Sequence, residues 1–442
     1  MRYGVVGGGL LGMTLAWNLS KAGHAVTIFE GSPRCGGLAA PWELGGVVWD
    51  RHYHVTLSSD LALRALLCEL DLEGDLQWVK AKTGFYVDRA LHSFSGAVDY
   101  LRFPALDPIQ KARLALTIVR ASRIRNWRPL ERITAVEWLT RQCGAATVEK
   151  IWLPLLRAKL GPYAHKASAA FIWAIIARMY SARGNGPQSE LFGYVRGGYN
   201  LILTRFEQRL AKRGVDIKVS SPVERIQASE NTIDLVTKCG AFTFDRAIVT
   251  LAAPLAAKLC TGLTARERTL ASAVEYQGIV CASVLTEHPL TPYYITNIAD
   301  GAVPFTAAIE MSALVDRREF GGKTLLYLPK YVASGDPALR MTDQEVEATF
   351  LSALGKMHPQ FDRRDVSAFR VSRVPYVFPI PTVGYSERLP AIRTSLPSLF
   401  AVNSAHIVNG TLNVNETVKL AHSVTPMLLT PDSSALRELV LA

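Results

Sequence analysis

Met1-Arg2-Tyr3-Gly4-Val5-Val6-Gly7-Gly8-Gly9-Leu10-Leu11-Gly12, closed about twenty residues later by Val26-Thr27-Ile28-Phe29-Glu30, decides how the chain is read. Residues 3–6 are a short apolar run of strand type. Gly7, Gly9 and Gly12 keep the G-x-G-x-x-G spacing, residues 13–22 have helical composition, and Gly23-His24 ends that helix. Residues 25–29 form a second strand with Glu30 at its carboxyl end. Each part has a physical role. Gly7 allows a tight turn, Gly9 lets a pyrophosphate approach the backbone, and Gly12 lets the helix pack closely on the strand. The start of the helix over 13–22 offers unpaired N–H groups and the positive end of the helix dipole to the phosphates, and Leu10, Leu11 and Gly12 in the preceding turn are cofactor-binding candidates. Glu30 accepts hydrogen bonds from a ribose diol and repels a 2′-phosphate. Strand, turn, helix, strand and acid all agree, so the segment predicts a dinucleotide site.

The next stretch, Gly31-Ser32-Pro33-Arg34-Cys35-Gly36-Gly37-Leu38-Ala39, separates the possible dinucleotides. An acid, a short spacer, an arginine and a glycine pair resemble the flavoproteins that include monoamine oxidases, protoporphyrinogen oxidases, phytoene desaturases and UDP-galactopyranose mutases. The resemblance implies FAD, with Gly31, Arg34, Gly36, Gly37 and Leu38 along its phosphates and flavin edge. It extends to Asp50-Arg51-His52-Tyr53-His54, which is similar to the aromatic and histidine stretch of mutase-like members near the flavin. On that resemblance His52, Tyr53 and His54 border the isoalloxazine; the alternative is a strand end whose histidines are only hydrogen-bonded. Residues 192–250 are similar to the family passage that returns the chain to the FAD domain, which implies that Val223 lies at the adenine end. Near the C-terminus Asn403 stands where the family carries an aspartate and adds no negative charge. The helix beginning near Asn413 then aims its dipole at the flavin, with Asn403, Asn415, Glu416 and Thr417 as binding candidates.

The implied fold class is α/β: a Rossmann-like FAD-binding domain on a parallel sheet, plus a mixed α+β substrate domain with a helical subdomain. Residues 1–90, 191–262 and 386–442 are assigned to the FAD domain, 91–190 to the helical part and 263–385 to an antiparallel substrate domain. The loop Gly184–Pro187 marks one boundary. A helix with Asp60 as its cap is expected over 60–72, and residues 376–385 read as helix or loop. In the strand-rich part, Glu310, Lys330 and Tyr331 are polar groups at strand ends. They are candidates to face the flavin with His52, Tyr53 and His54 as catalytic residues, against the plainer reading of surface or ion-paired side chains. Tyr53, Tyr331, Tyr376 and Tyr385 are candidates for an aromatic cage should the substrate be an amine.

The chain has 442 residues, 49% hydrophobic and 20% charged, enough for two domains and a large core. Its formal net charge of +11 favours anionic partners in general. Between 111 and 132 seven Lys or Arg face a single acid, Glu131. Residues 108–132 are therefore either a solvated basic surface or a peripheral membrane contact, although Lys111 and Arg125 share a helical side with Ile118. The six cysteines show no metal-ligand spacing, so no metal site is expected and a reducing, cytoplasmic setting fits best. The apolar run after Arg2 is read as strand and turn rather than as a leader, and no charge-free apolar run reaches membrane-spanning length. A small-molecule substrate is expected, and no nucleic acid. The first functional expectation is an FAD-dependent oxidoreductase that dehydrogenates a mostly apolar or amphipathic molecule by hydride transfer to flavin N5. The second is a mutase-like, non-redox flavoenzyme acting on a nucleotide-sugar. The third is a dinucleotide-binding protein without turnover.

Overall fold

Five short strands, four of them largely apolar, assemble the first layer. In a computed structural model that describes residues 1–181, 191–229 and 231–430, the strands Asp216–Lys218, Ala25–Phe29, Arg2–Val6, Arg246–Val249 and Leu399–Ala401 lie side by side in that order, all parallel. Arg2–Val6 is central and buried after its first residue, as a strand covered on both faces must be. The helix Leu10–Lys21 starts three residues earlier than its composition suggests, because Leu10 and Leu11 also belong to the core. It packs with the Gly198–Lys212 and Val414–Leu429 helices on one side of the sheet. An antiparallel ribbon, Val223–Ala228, Ile233–Thr237 and Gly240–Phe244, covers the other side.

The second layer is a seven-stranded mixed sheet in the order Val366–Pro379, Tyr276–Thr286, Thr324–Ala333, Ala307–Glu310, Ile295–Ile298, Thr83–Val87 and Ala90–Ser93. All its pairs are antiparallel except Ile295–Ile298 with Thr83–Val87. Its last two strands come from the chain around residues 83–93, so the large sheet draws on the first part of the chain as well as on 263–385. Side chains alternate across it. Tyr327 and Tyr331 fall in one apolar cluster with Trp49, Tyr53 and Met311, whereas Leu326, Leu328 and Val332 join the Asp343–Met357 helix on the opposite face.

Between Ala97–Arg102 and Ala169–Ser181 the chain is helical, with a core that includes Trp138, Leu139, Leu156 and Phe171. No helix among the described residues is long and apolar enough to cross a membrane. Two local expectations change. Residues 376–379 continue the Val366–Pro379 strand rather than forming a helix or loop. Asp60 does not cap its own helix, Leu61–Glu69; it accepts from Leu57 N and pairs with Arg178, and the Asn415 side chain takes over the cap through Ala62 N and Leu63 N. The Gly184–Pro187 boundary lies outside the described residues.

Candidate functional site

At the phosphate end the three motif glycines are glycine for different reasons. Gly7 has φ +108°, and a Cβ there would meet Thr250 Oγ1 at 2.4 Å. A Cβ on Gly12 would stand 2.0 Å from Gly7 O, inside the backbone itself. Gly9 differs: its backbone is extended with φ −69°, and the nearest atom to a Cβ would be Gly37 Cα at 3.9 Å. The fold leaves room for a side chain at residue 9, so what glycine keeps open there is space for something else. That space adjoins the start of Leu10–Lys21, which has no side-chain cap and no acid in its first turn. Leu10 and Leu11 put their side chains into the core, leaving backbone N–H groups at the helix start.

The second glycine pair closes this cradle. Gly36 N donates to Gly8 O at 2.8 Å, and Gly9 and Gly36 form a parallel bridge. Gly36 and Gly37 have φ +117° and +57°, and a Cβ on Gly37 would press Gly9 Cα at 3.2 Å. Glu30 ties the turn together: its Oε2 accepts from Gly8 N at 2.7 Å and its Oε1 from Ser32 N at 2.8 Å. Each carboxylate oxygen keeps lone-pair capacity for a further donor such as a ribose hydroxyl. Ser221 N donates to Glu30 O, and Gly31 lies against Pro222, which brings Val223 beside this turn. Arg34 is exposed, and Asn200 Oδ1 orients it at 2.7 Å.

The flavin-edge candidates follow from the Val47–Asp50 strand. Asp50 is buried and accepts from Tyr199 N at 2.7 Å. Arg51 donates through Nη2 to Gly37 O at 2.7 Å, while its Nε is buried without a partner. His52 is buried, and its Nδ1 lies 3.0 Å from Leu38 O. A carbonyl only accepts, so Nδ1 carries the proton and the buried, unpartnered Nε2 is a bare acceptor. Burial pushes the His52 pKa down to about 3, so the ring is neutral. Tyr53 turns the other way, with its hydroxyl 2.7 Å from that of Tyr331; burial and the neighbouring phenol hold its pKa well above the ordinary tyrosine value. The Lys159 ammonium stands 5.2 Å from the Tyr331 ring centre. His54 faces Tyr199, at 4.7 Å between ring centres, and lies 3.8 Å from Asp50 Oδ2.

The structure thus brings Tyr53 and Tyr331 together and puts His52 against the second glycine loop, while His54 turns to Asp50. Glu310 and Lys330 are elsewhere. The buried Glu310 carboxylate accepts from Thr291 N at 2.9 Å and Leu290 N at 3.3 Å, and burial raises its pKa to about 7. Lys330 alternates with Tyr331 and shares the sheet face of Leu328 and Val332. Near the C-terminus the candidate side chains are engaged by protein groups: Asn403 Oδ1 accepts from Ala405 N, Asn415 caps Leu61–Glu69, Glu416 pairs with Lys419, and Thr417 donates to Asn413 O. What these residues leave toward a ligand is the backbone at the start of Val414–Leu429. Tyr376 packs on Tyr276, and Tyr385 donates to Ala405 O. Sequence reasoning missed Arg51, whose signal was its place between Asp50 and His52. It also missed Tyr199 and Tyr327, which carry no local signal.

These features fit FAD. A cradle that only a ligand would fill lies beside a bare helix start, a carboxylate is poised for a ribose, and an orphaned donor (Arg51 Nε) and acceptor (His52 Nε2) flank the second glycine loop. A flavin dinucleotide offers both acceptors and donors to such a pair.

Comparisons with known proteins agree. The family model described as flavin containing amine oxidoreductase matches residues 12–413. No curated protein matches the chain. Among solved structures, an oxidoreductase from Methanosarcina mazei superposes with a TM-score of 0.75 at 19% identity, covering 96% of this chain and 100% of that one. A putrescine oxidase bound to putrescine gives 0.69 at 16%, covering 97% and 99%. A reduced UDP-galactopyranose mutase gives 0.73 at 14%, covering 97% and 93%. At these identities the likeness shows the fold, and the family match goes further. The chain belongs to the flavin-containing amine oxidoreductase family and is an FAD-dependent oxidoreductase.

Proposed function

We propose that this enzyme dehydrogenates a mostly apolar or amphipathic small molecule, with the cofactor held between the paired glycine turns and the 51–54 loop. Bound there, FAD supplies a two-electron acceptor that takes a hydride from a substrate carbon. The observation that carries the reading is the pair of orphaned polar atoms, Arg51 Nε and His52 Nε2, next to a wall of tyrosines and aliphatic side chains.

The chain's own residues divide the work. Gly9, the Leu10–Gly12 backbone and Gly36–Gly37 receive the diphosphate, and Glu30 holds the ribose. Arg51 donates and the neutral His52 accepts, which fixes the polar edge of the cofactor without adding a proton that titrates near neutral pH. Tyr53 and Tyr331 share one hydrogen bond, so one hydroxyl proton is left to orient a polar end of the substrate. Val55, Ile295, Val374 and Val377 belong to the same cluster, exclude water and favour a carbon skeleton over a charged group.

The test is anaerobic mixing of the FAD-loaded protein with cyclic and polyene hydrocarbons, neutral and cationic amines, and a nucleotide-sugar, followed in the visible flavin band. The expected result is bleaching by an apolar member of the set, slowed in Tyr331→Phe. Bleaching by cationic amines alone contradicts the substrate class. Turnover of a nucleotide-sugar only after chemical reduction, with no net electron flow, establishes the mutase-like alternative instead.

A further inference from the structure

The Pro108–Arg123 helix buries Leu114, Thr117 and Ala121 against the helical core. At 100° per residue Ala112, Leu116 and Arg123 lie opposite this stripe, Ile109 and Arg120 lie to one side and Arg113 lies at the margin of the stripe on that same side; all six are exposed. Ile109 is 72% exposed and Leu116 47%, and the neighbouring Ala97–Arg102 helix adds Val98 at 58% and Leu101 at 67%. Lys111, which from sequence blurred the charge pattern, is turned sideways and donates to Leu101 O, joining the two helices. Four large aliphatic side chains in water on two adjoining helices are unusual for a surface with no partner.

The charges point the same way. None of Arg113, Arg120 and Arg123 makes an ion pair among the described residues, and the helix contains no acid. Nearby acids are engaged elsewhere: Asp107 caps the helix through Gln110 N, Asp99 accepts from Ser93 and Ser95, and Glu137 pairs with Arg141. Ile109 and Arg113, with the helix cap Asp107, also line a hollow of about 260 Å³, across from Gly144 and Thr147. The Arg113 guanidinium would lie 3.2 Å from a Cβ on Gly144, and the Thr147 hydroxyl is fully buried with no hydrogen-bond partner.

We propose that this face docks on an anionic phospholipid bilayer. Val98, Leu101, Ile109 and Leu116 enter the headgroup–acyl boundary, the three arginines meet lipid phosphates, and the hollow beside Arg113 receives one headgroup. Aliphatic anchors interleaved with unpaired arginines match such a surface, whereas an apolar protein partner would leave three cations uncompensated. The proposal is independent of the substrate reading, since none of these residues touches the dinucleotide cradle or the tyrosine pair.

Co-sedimentation of the FAD-loaded protein with vesicles tests it, using pure phosphatidylcholine and phosphatidylcholine mixed with phosphatidylglycerol. The expected result is binding to the anionic vesicles alone, weakened by salt. Arg113→Ala with Arg120→Ala should weaken it about 30-fold, at about fivefold per arginine. Leu101→Ser with Ile109→Ser should abolish it while leaving the flavin spectrum and vesicle-free flavin reduction unchanged. Equal binding by parent and both double variants overturns the proposal, as does the absence of binding. A parent that is dimeric without vesicles, and monomeric in Leu101→Ser with Ile109→Ser, shows that the face joins copies of the chain and also overturns it.

Discussion

The two ends of the proposed dinucleotide site are built from different materials. At the phosphate end the working parts are backbone: turns at 7–9 and 36–37, the start of one helix, and a single carboxylate that binds loop N–H groups two and twenty-two residues away. At the proposed flavin edge the parts are side chains brought from far along the chain. Tyr53 meets Tyr331 across 278 residues, and Asp50 meets Tyr199 across 149. A backbone cradle tolerates little change in itself but accepts any sequence around it that supplies glycine where glycine is needed. A side-chain wall depends on the packing of two sheets and can be altered one residue at a time. Damage at the first end should therefore fall on folding or on cofactor affinity, and damage at the second on chemistry and selectivity.

The largest break is expected at Gly12. A Cβ 2.0 Å from Gly7 O must push the helix off the strand, so Gly12→Ala should cost about 3 kcal/mol or more in urea unfolding and abolish FAD retention with it. A smaller effect should separate Glu310 from the flavin edge. Its carboxyl has a pKa raised from 4.5 to about 7, so the native state holds a proton that the unfolded chain has released between those values. The stability this group contributes is complete below pH 4.5 and is lost as pH rises to about 7. Measured as the difference between the parent and Glu310→Gln, the loss should be on the order of 2–3 kcal/mol between about pH 4.5 and 8. A change in the flavin spectrum over the same range, absent in the variant, would instead link Glu310 to the cofactor. Smaller again is Glu30→Gln. It keeps the shape, but the amide oxygen can accept from only one of Gly8 N and Ser32 N while the NH2 group faces the other donor, so it should cost about 1–3 kcal/mol in stability and reduce FAD affinity about tenfold by isothermal titration. If affinity is untouched, the carboxylate serves the loop alone.

The same division explains what could be read from residue order. The first strand, the glycine turn, the helix and Glu30 form one local sentence of backbone requirements, and each requirement leaves a residue type at a fixed spacing. The strands at 246–249 and 399–401 and the helix after Asn413 were also legible, because apolar runs and caps are local. The start of the first helix was not: Leu10 and Leu11 look like loop residues until the core they fill is known. Asn415 looked like a ligand to the cofactor because its partners, Ala62 N and Leu63 N, are more than three hundred residues away. Glu310 and Lys330 were plausible strand-end polar groups, but strand alternation and the loop at 290–291 take them away from Tyr331. The orphaned Nε of Arg51 and Nε2 of His52 could not be found from sequence at all, since an unpartnered atom is a property of packing.

Gly9 tests the central claim most directly, because it is the one motif glycine whose side-chain space the fold leaves free. The measurement is FAD affinity together with apoprotein stability in Gly9→Ala. The account predicts urea unfolding of the apoprotein within about 1 kcal/mol of the parent, since φ −69° suits alanine, with FAD affinity reduced about tenfold or more. Retention of FAD at the parent's affinity would mean that the space beside Gly9 is not where the diphosphate lies, and would contradict it.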